Sequence, residues 1–109
     1  MPLDPRRHPE KPRARVEIVW SPLARARLRE IRAYVARDKP EAAERLATRI
    51  VLVVETLKYH PYLGHADAEP GVRELVIGGT PYIVLYRVRG KRVTISTIWH
   101  GAQQREKQG

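Results

Sequence analysis

Cysteine is absent from the 109 residues, which excludes disulfides and thiolate metal sites and leaves burial and backbone hydrogen bonds to hold the fold. Long apolar runs are absent too. The longest aliphatic stretch, residues 50–54, is far short of the roughly 20 residues needed to cross a bilayer, and no signal-peptide core follows Met1. A soluble, cytoplasmic protein with no membrane partner is therefore expected. There is no helical HExxH, no glycine loop to cradle a phosphate and no GxSxG elbow, so most enzyme classes drop out. His60 and His65 share a loop, but their spacing fits no standard ligand pattern, and neither a metal nor a cofactor is expected. Acidic residues are also scarce. Twelve Asp and Glu against 21 Lys and Arg give a formal net charge of +9 and a pI near 10.5. Such a surface calls for an anionic partner, either nucleic-acid phosphate or an acidic protein. Arginine predominates over lysine, which favours planar, bidentate contacts.

The chain is long enough for one core and too short for two, so a single domain over residues 15–101 is expected, with tails on either side. Residues 1–14 contain four prolines and little that could enter a core. They read as a flexible basic arm, passive or in contact with nucleic acid. Residues 102–109 read as a C-terminal tail carrying Arg105.

Alternation at Val16, Ile18 and Trp20 marks a short strand. Ser21-Pro22 then signals a helix start, since the serine hydroxyl can accept an early backbone N–H and proline suits the first turn. In this helix Ala24, Leu28, Ile31 and Val35 share one stripe, and Arg25, Arg29 and Arg32 share another that faces solvent or a ligand. Lys39-Pro40 breaks it and opens a second helix of about twenty residues, predicting a helical hairpin. Residues 50–54 are rich in β-branched types, but the flanking 3-4-3-4 spacing decides for helix. Leu52, beside Val51, falls outside the core stripe and suggests an apolar contact with a partner chain, against the plainer reading of one exposed leucine.

After a loop at residues 60–71, residues 72–101 read as three antiparallel strands. Gly78-Gly79-Thr80-Pro81 and Arg89-Gly90-Lys91 supply the turns. Tyr82-Ile83-Val84-Leu85-Tyr86 is apolar throughout, as a central strand covered on both faces would be. Val93, Ile95, Thr97 and Trp99 alternate with Thr94, Ser96, Ile98 and His100, with Trp99 expected in the core. The predicted order is β-α-α-β-β-β, an α+β domain with an antiparallel sheet and the helical hairpin on one face. Its core is expected to contain Leu28, Ile31, Ile50, Val53, Leu57, Val84 and Ile95. Arg73, Arg87 and His100 lie near strand ends; the plain alternative for Arg87 is an ion pair with Glu74.

The ordered set VEIVWSPLARARLREIRAYVARDKPEAAERLATRI, HPYLG, PGVRELVI, PYIVLYRV and IWHGAQ resembles the RelE/ParE superfamily of bacterial toxins from type II toxin–antitoxin systems. The resemblance spans about residues 16–103. It implies growth inhibition, neutralisation by a cognate acidic antitoxin in a hetero-oligomer, and one of two actions: inhibition of DNA gyrase by binding, or ribosome-dependent cleavage of messenger RNA. Val51, Leu52, Arg25, Arg29 and Arg32 are candidates for the antitoxin contact. Arg73, Tyr82, Arg87, His100 and Arg105 are candidates for target or nucleic-acid binding. A metal-independent nuclease would use His100, Arg73 and Arg87 for proton transfer and phosphate contacts. Toxins that resemble the cleaving branch typically carry an arginine where this chain has Ile83 and a basic strand where it has Glu74, Leu75 and Val76. They also end on a tyrosine, whereas the last tyrosine here is Tyr86. The gyrase-binding branch is the favoured expectation, with the messenger RNA endonuclease as the alternative. A third reading, a basic nucleic-acid-binding module with a sheet platform, lacks the aromatic ribonucleoprotein motif.

Overall fold

The computed structural model describes residues 15–101, so the basic arm at 1–14 and the tail with Arg105 lie outside the described residues. Strand β1 (Glu17–Trp20) leads into helix α1 (Pro22–Ala36) and helix α2 (Pro40–Glu55), which ends in a 3-10 turn over Thr56–Lys58. Strands β2 (His65–Ala66), β3 (Val72–Val76), β4 (Tyr82–Arg89) and β5 (Arg92–His100) follow. Together they form a five-stranded sheet in the order β1-β5-β4-β3-β2. The helical hairpin packs on one of its faces, giving the α+β architecture expected.

Three details depart from the sequence reading. First, β1 pairs parallel to β5, Glu17 opposite Arg92 through Trp20 opposite Ile95, so the sheet is mixed rather than wholly antiparallel. The physical reason is the connection: a helical pair and the short β2 carry the chain from β1 to β3, and two hairpin reversals then leave β5 running in the direction of β1. Second, His65–Ala66 adds a two-residue edge strand inside the predicted loop, paired with Arg73 and Glu74. Third, β5 carries a bulge. Leu85 faces Thr97 while Tyr86 faces Ile95, so Ser96 is an extra residue and the alternation changes phase there. Val93 and Ile95 share the helix-covered face with Ile98 and His100, whereas Thr97 and Trp99 turn to the outer face opposite Leu85 and Ile83. Trp99 is accordingly half-buried on the outer sheet surface and not part of the core. The hydroxyl of Thr97, buried on that face, has no hydrogen-bond partner among the described residues.

The bulge also ties the helices to the sheet. Ser21 accepts the Ala24 N–H at 3.0 Å through its Oγ, which donates to the Ser96 carbonyl at 2.9 Å, and its own N–H reaches the Ile95 carbonyl at 3.0 Å. One serine therefore caps α1 and fixes its start to β5. Proline at the first position of each helix completes the local signals.

The core lies between α2 and the sheet. Ile50, Val54, Leu57, Ile77, Val84, Tyr86, Val93 and Ile95 are fully enclosed. Of the residues expected there, Ile50, Leu57, Val84 and Ile95 are inside, while Leu28, Ile31 and Val53 pack against the cluster half-buried. In α1 only Ala24 is buried, so the first helix leans on the core through its stripe without being enclosed. Strand β4 is buried at Tyr82, Val84, Leu85 and Tyr86, but Ile83 on the outer face remains half-buried, so the expected cover on both faces is incomplete.

Candidate functional site

The residues singled out by sequence fall into three separate places. At one end of the β4–β5 hairpin Tyr82 faces His100, their rings meeting edge to face with centroids 5.4 Å apart at 86°. Burial pushes the Tyr82 phenol above its ordinary value, with the Tyr34 hydroxyl adding a smaller effect in the same direction. At neutral pH Tyr82 is a hydrogen-bond donor and not a base. His100 is half-buried beside it, and the Gly101 N–H closes this end by donating to the Pro81 carbonyl at 2.7 Å.

Arg73 belongs to a second place. Its guanidinium lies over the Tyr62 ring at 5.2 Å. It donates from Nε and Nη2 to the Gly64 carbonyl at 3.1 and 2.8 Å, and from Nη2 to the Tyr62 carbonyl at 3.3 Å. Tyr86 completes this clamp, accepting the Gly64 N–H at 2.9 Å and donating its own hydroxyl proton to the Pro61 carbonyl at 2.8 Å. Gly64 has no room for a side chain, since a Cβ there would stand 2.5 Å from the Glu74 carbonyl oxygen. The loop is thus fastened to β3 and β4 through groups that would otherwise be unsatisfied. Nearby, the Asp67 carboxyl is held below its usual value, first by a hydrogen bond with the Glu74 side chain and then by the Glu69 N–H.

Arg87 occupies a third place. Strand β4 is regular, so Arg87, five residues from Tyr82, points to the face of the sheet opposite Tyr82 and His100. It pairs with Glu69, Nη2 to Oε2 at 2.9 Å, while Glu74 stands opposite Leu85. Arg73 pairs with Tyr86 and His100 with Tyr82, positions about 13 Å apart along β4 at ~3.3 Å per residue. His100, Arg73 and Arg87 therefore do not converge on one point.

The surface of α2 that looks away from the core carries a further feature. Glu44, Arg45, Thr48, Arg49, Leu52, Val53 and Thr56 line an open cleft of ≈ 540 Å³. Leu52 is 61% exposed at its centre, and Val51 beside it is half-buried. Arg49 crosses to the β3–β4 turn, its Nε donating to the Gly78 carbonyl at 2.9 Å. Arg25 and Arg29 are exposed on α1, and Arg32 reaches Glu44 on α2 at 2.7 Å. Arg45, Thr48 and Arg49 were not singled out from sequence, although they lie seven, four and three residues before Leu52, a spacing that places them on its side of the helix. Among the described residues no three His, Asp, Glu or Cys side chains gather as metal ligands, and no helix is long and apolar enough to cross a membrane.

The fold is a helical hairpin on a small mixed sheet, reached through an N-terminal strand. The toxin in the structure of the chromosomal ParDE system of Pseudomonas aeruginosa shares it, with a TM-score of 0.74 and 28% identity over 80% of this chain and 97% of that one. The RelBE2 toxin–antitoxin complex of Mycobacterium tuberculosis is similar in fold alone, with a TM-score of 0.54 at 16% identity over 79% of this chain and 91% of that one. Residues 18–105 match the family described as the ParE toxin of the type II toxin–antitoxin system parDE, and the chain belongs to that family. Among curated relatives, the toxin Y4kP of Sinorhizobium fredii is 40% identical over 91 residues, spanning 84% of this chain and 94% of its own. Toxin RelE2 of Caulobacter vibrioides is 36% identical over 87 residues, spanning 80% of this chain and 97% of its own.

Proposed function

We propose that this ParE-family toxin inhibits cell growth by binding DNA gyrase and not by cutting RNA, and that a cognate acidic antitoxin neutralises it by covering the cleft on α2. The observation that carries the first part is the separation of the three nuclease candidates. Metal-free cleavage of RNA requires an acid, a base and cations around one phosphate. Here Arg73 is spent on the Tyr62 and Gly64 carbonyls, Arg87 lies on the other face of the sheet, and His100 stands apart with a phenol that holds its proton. Losing one electrostatic stabiliser costs about 10²–10³ in rate, so a site lacking both arginines would be a poor nuclease.

The antitoxin reading rests on the chemistry of the α2 cleft. An apolar centre at Leu52 flanked by Arg45 and Arg49 fits an amphipathic segment with acidic flanks that orders as it binds. A small acidic protein encoded beside this gene should co-purify with the toxin; separation of the two at low salt would overturn this part.

The messenger RNA endonuclease remains the second reading because of the Tyr82 and His100 pair, whose rings meet edge to face at the end of the β4–β5 hairpin. Supercoiling by purified gyrase should fall as toxin is added, while primer extension on translated messages should show no new cuts. Ribosome-dependent cleavage that disappears in His100→Ala would reverse the choice.

A further inference from the structure

At the opposite end of the β4–β5 hairpin from His100, the outer face of the sheet forms a cleft of ≈ 550 Å³ lined by Glu17, Arg87, Arg89, Lys91, Arg92 and Thr94. We propose that this cleft is a binding site for the phosphodiester backbone of nucleic acid. Its construction follows from the turn. Arg89 stands opposite Arg92, with Gly90 and Lys91 between them, and Gly90 takes a φ of 58° while Lys91, like every other non-glycine among the described residues, does not have a positive φ. That combination is a two-residue turn of type II′, which holds the two arginines side by side across the strands. Arg87 and Arg89 are two residues apart on one strand and so share a face at a repeat of about 6.6 Å, a spacing on the scale of successive phosphates along a sugar-phosphate chain.

The charges are arranged to be released. Arg92 pairs with Glu17 at 3.3 Å and Arg87 with Glu69 at 2.9 Å, both in exposed geometry. Such pairs contribute only about 0–1 kcal/mol each, so phosphate oxygens can replace the carboxylates at little cost. Arg89 and Lys91 have no ion-pair partner among the described residues and present their charge directly. Four cations therefore face two carboxylates, and the Thr94 hydroxyl adds a neutral donor.

The lining distinguishes a nucleic acid from an acidic protein segment. A protein partner draws its affinity from apolar anchors seated in pockets. No apolar side chain lines this cleft; exposed Leu52 lies on the other side of the molecule, above the helix-covered face. Phosphate binding needs no such anchor, because releasing condensed counterions drives it. Planar guanidinium groups add bidentate contacts. This site is independent of the gyrase reading, since it concerns binding by the free toxin.

The test is fluorescence anisotropy with the full chain, using a labelled mixed-sequence DNA duplex and a labelled RNA single strand of equal length across a salt series. Binding should weaken steeply with salt. Arg89→Glu combined with Lys91→Glu should reduce affinity by about tenfold or more at low salt and lower the slope of log K against log salt by about 2. The Arg89 and Lys91 side chains are exposed and form no hydrogen bond or ion pair among the described residues, and an unchanged melting temperature should show that this variant folds. Arg27→Glu on α1 combined with Arg37→Glu at its C-terminal cap alters the net charge equally and should leave affinity within about twofold, because exposed charges beyond a Debye length are screened. Preference between the two probes identifies the kind of nucleic acid. The proposal is overturned if neither probe binds, if the turn variant binds as well as the parent, or if the α1 variant loses as much. Tighter binding of an acidic peptide of matched charge would likewise overturn it.

Discussion

The two sides of α2 share a backbone and divide its labour. Ile50, Val54 and the adjoining Leu57 are completely enclosed against the sheet, whereas Leu52, within two residues of both Ile50 and Val54, is 61% exposed in a basic cleft. The enclosed side gains free energy whenever the chain folds. The open side gains only when something else arrives, so its sequence answers to a partner and not to the core. The β4–β5 hairpin repeats the division end to end. Tyr82 is buried in the core beside His100 at one end, and arginines stand exposed at the other.

The sharpest test of this division is truncation on the enclosed side. Ile50→Ala should reduce unfolding free energy by about 2–5 kcal/mol in urea titrations, the cost of lost burial plus a residual cavity. A loss below about 1 kcal/mol would mean that the helix is less tightly packed than its enclosure implies.

A smaller effect is expected where α1 is fastened to the sheet. Ser21→Ala removes the cap to Ala24 and the bond to the Ser96 carbonyl, and should cost about 0.5–2 kcal/mol. Ser21→Thr keeps the hydroxyl and should recover most of it. If the two variants are equally destabilised, the cap is not what holds the start of α1.

Much of this was readable from sequence, and the misses share a cause. Ser21-Pro22, Lys39-Pro40 and the two glycine turns are local signals, and each marks an element boundary in the structure. Leu52 was legible from helical spacing alone. The parallel pairing of β1 with β5 was not, because it joins Glu17 to Arg92 across the whole domain and no local pattern encodes direction. The bulge at Ser96 was equally hidden. A simple alternation put Trp99 in the core, but one extra residue reversed the phase and sent it outward. The same blindness to long range grouped Arg73, Arg87 and His100 as strand-end residues when the sheet sets them apart. Side-chain chemistry was visible; the face on which each side chain lands was set by register.

The buried end of the hairpin makes a pH prediction. Because burial raises the folded-state value of Tyr82 above its unfolded 10.0, its contribution to stability is fully present below 10.0 and is lost as pH rises through the folded value. Stability measured by urea unfolding should fall more steeply above pH 10 in the parent than in Tyr82→Phe. Identical alkaline profiles would show that the phenol is solvated in the folded protein.

The smallest stability effect is expected at Leu52, and it tests the division most directly. The side chain is largely in water already, so Leu52→Ala removes little buried area and should change unfolding free energy by less than about 0.5 kcal/mol. Against a partner the same truncation has a different reference state. If an antitoxin segment seats an apolar anchor in the cleft between Arg45 and Arg49, removing Leu52 takes away the centre of that contact, where truncations cost about 2 kcal/mol or more. Complex formation with the neighbouring acidic protein should then weaken by about thirtyfold while the free toxin melts as before. Comparable losses in stability and binding would place Leu52 with Ile50 and erase the distinction between the two sides of the helix.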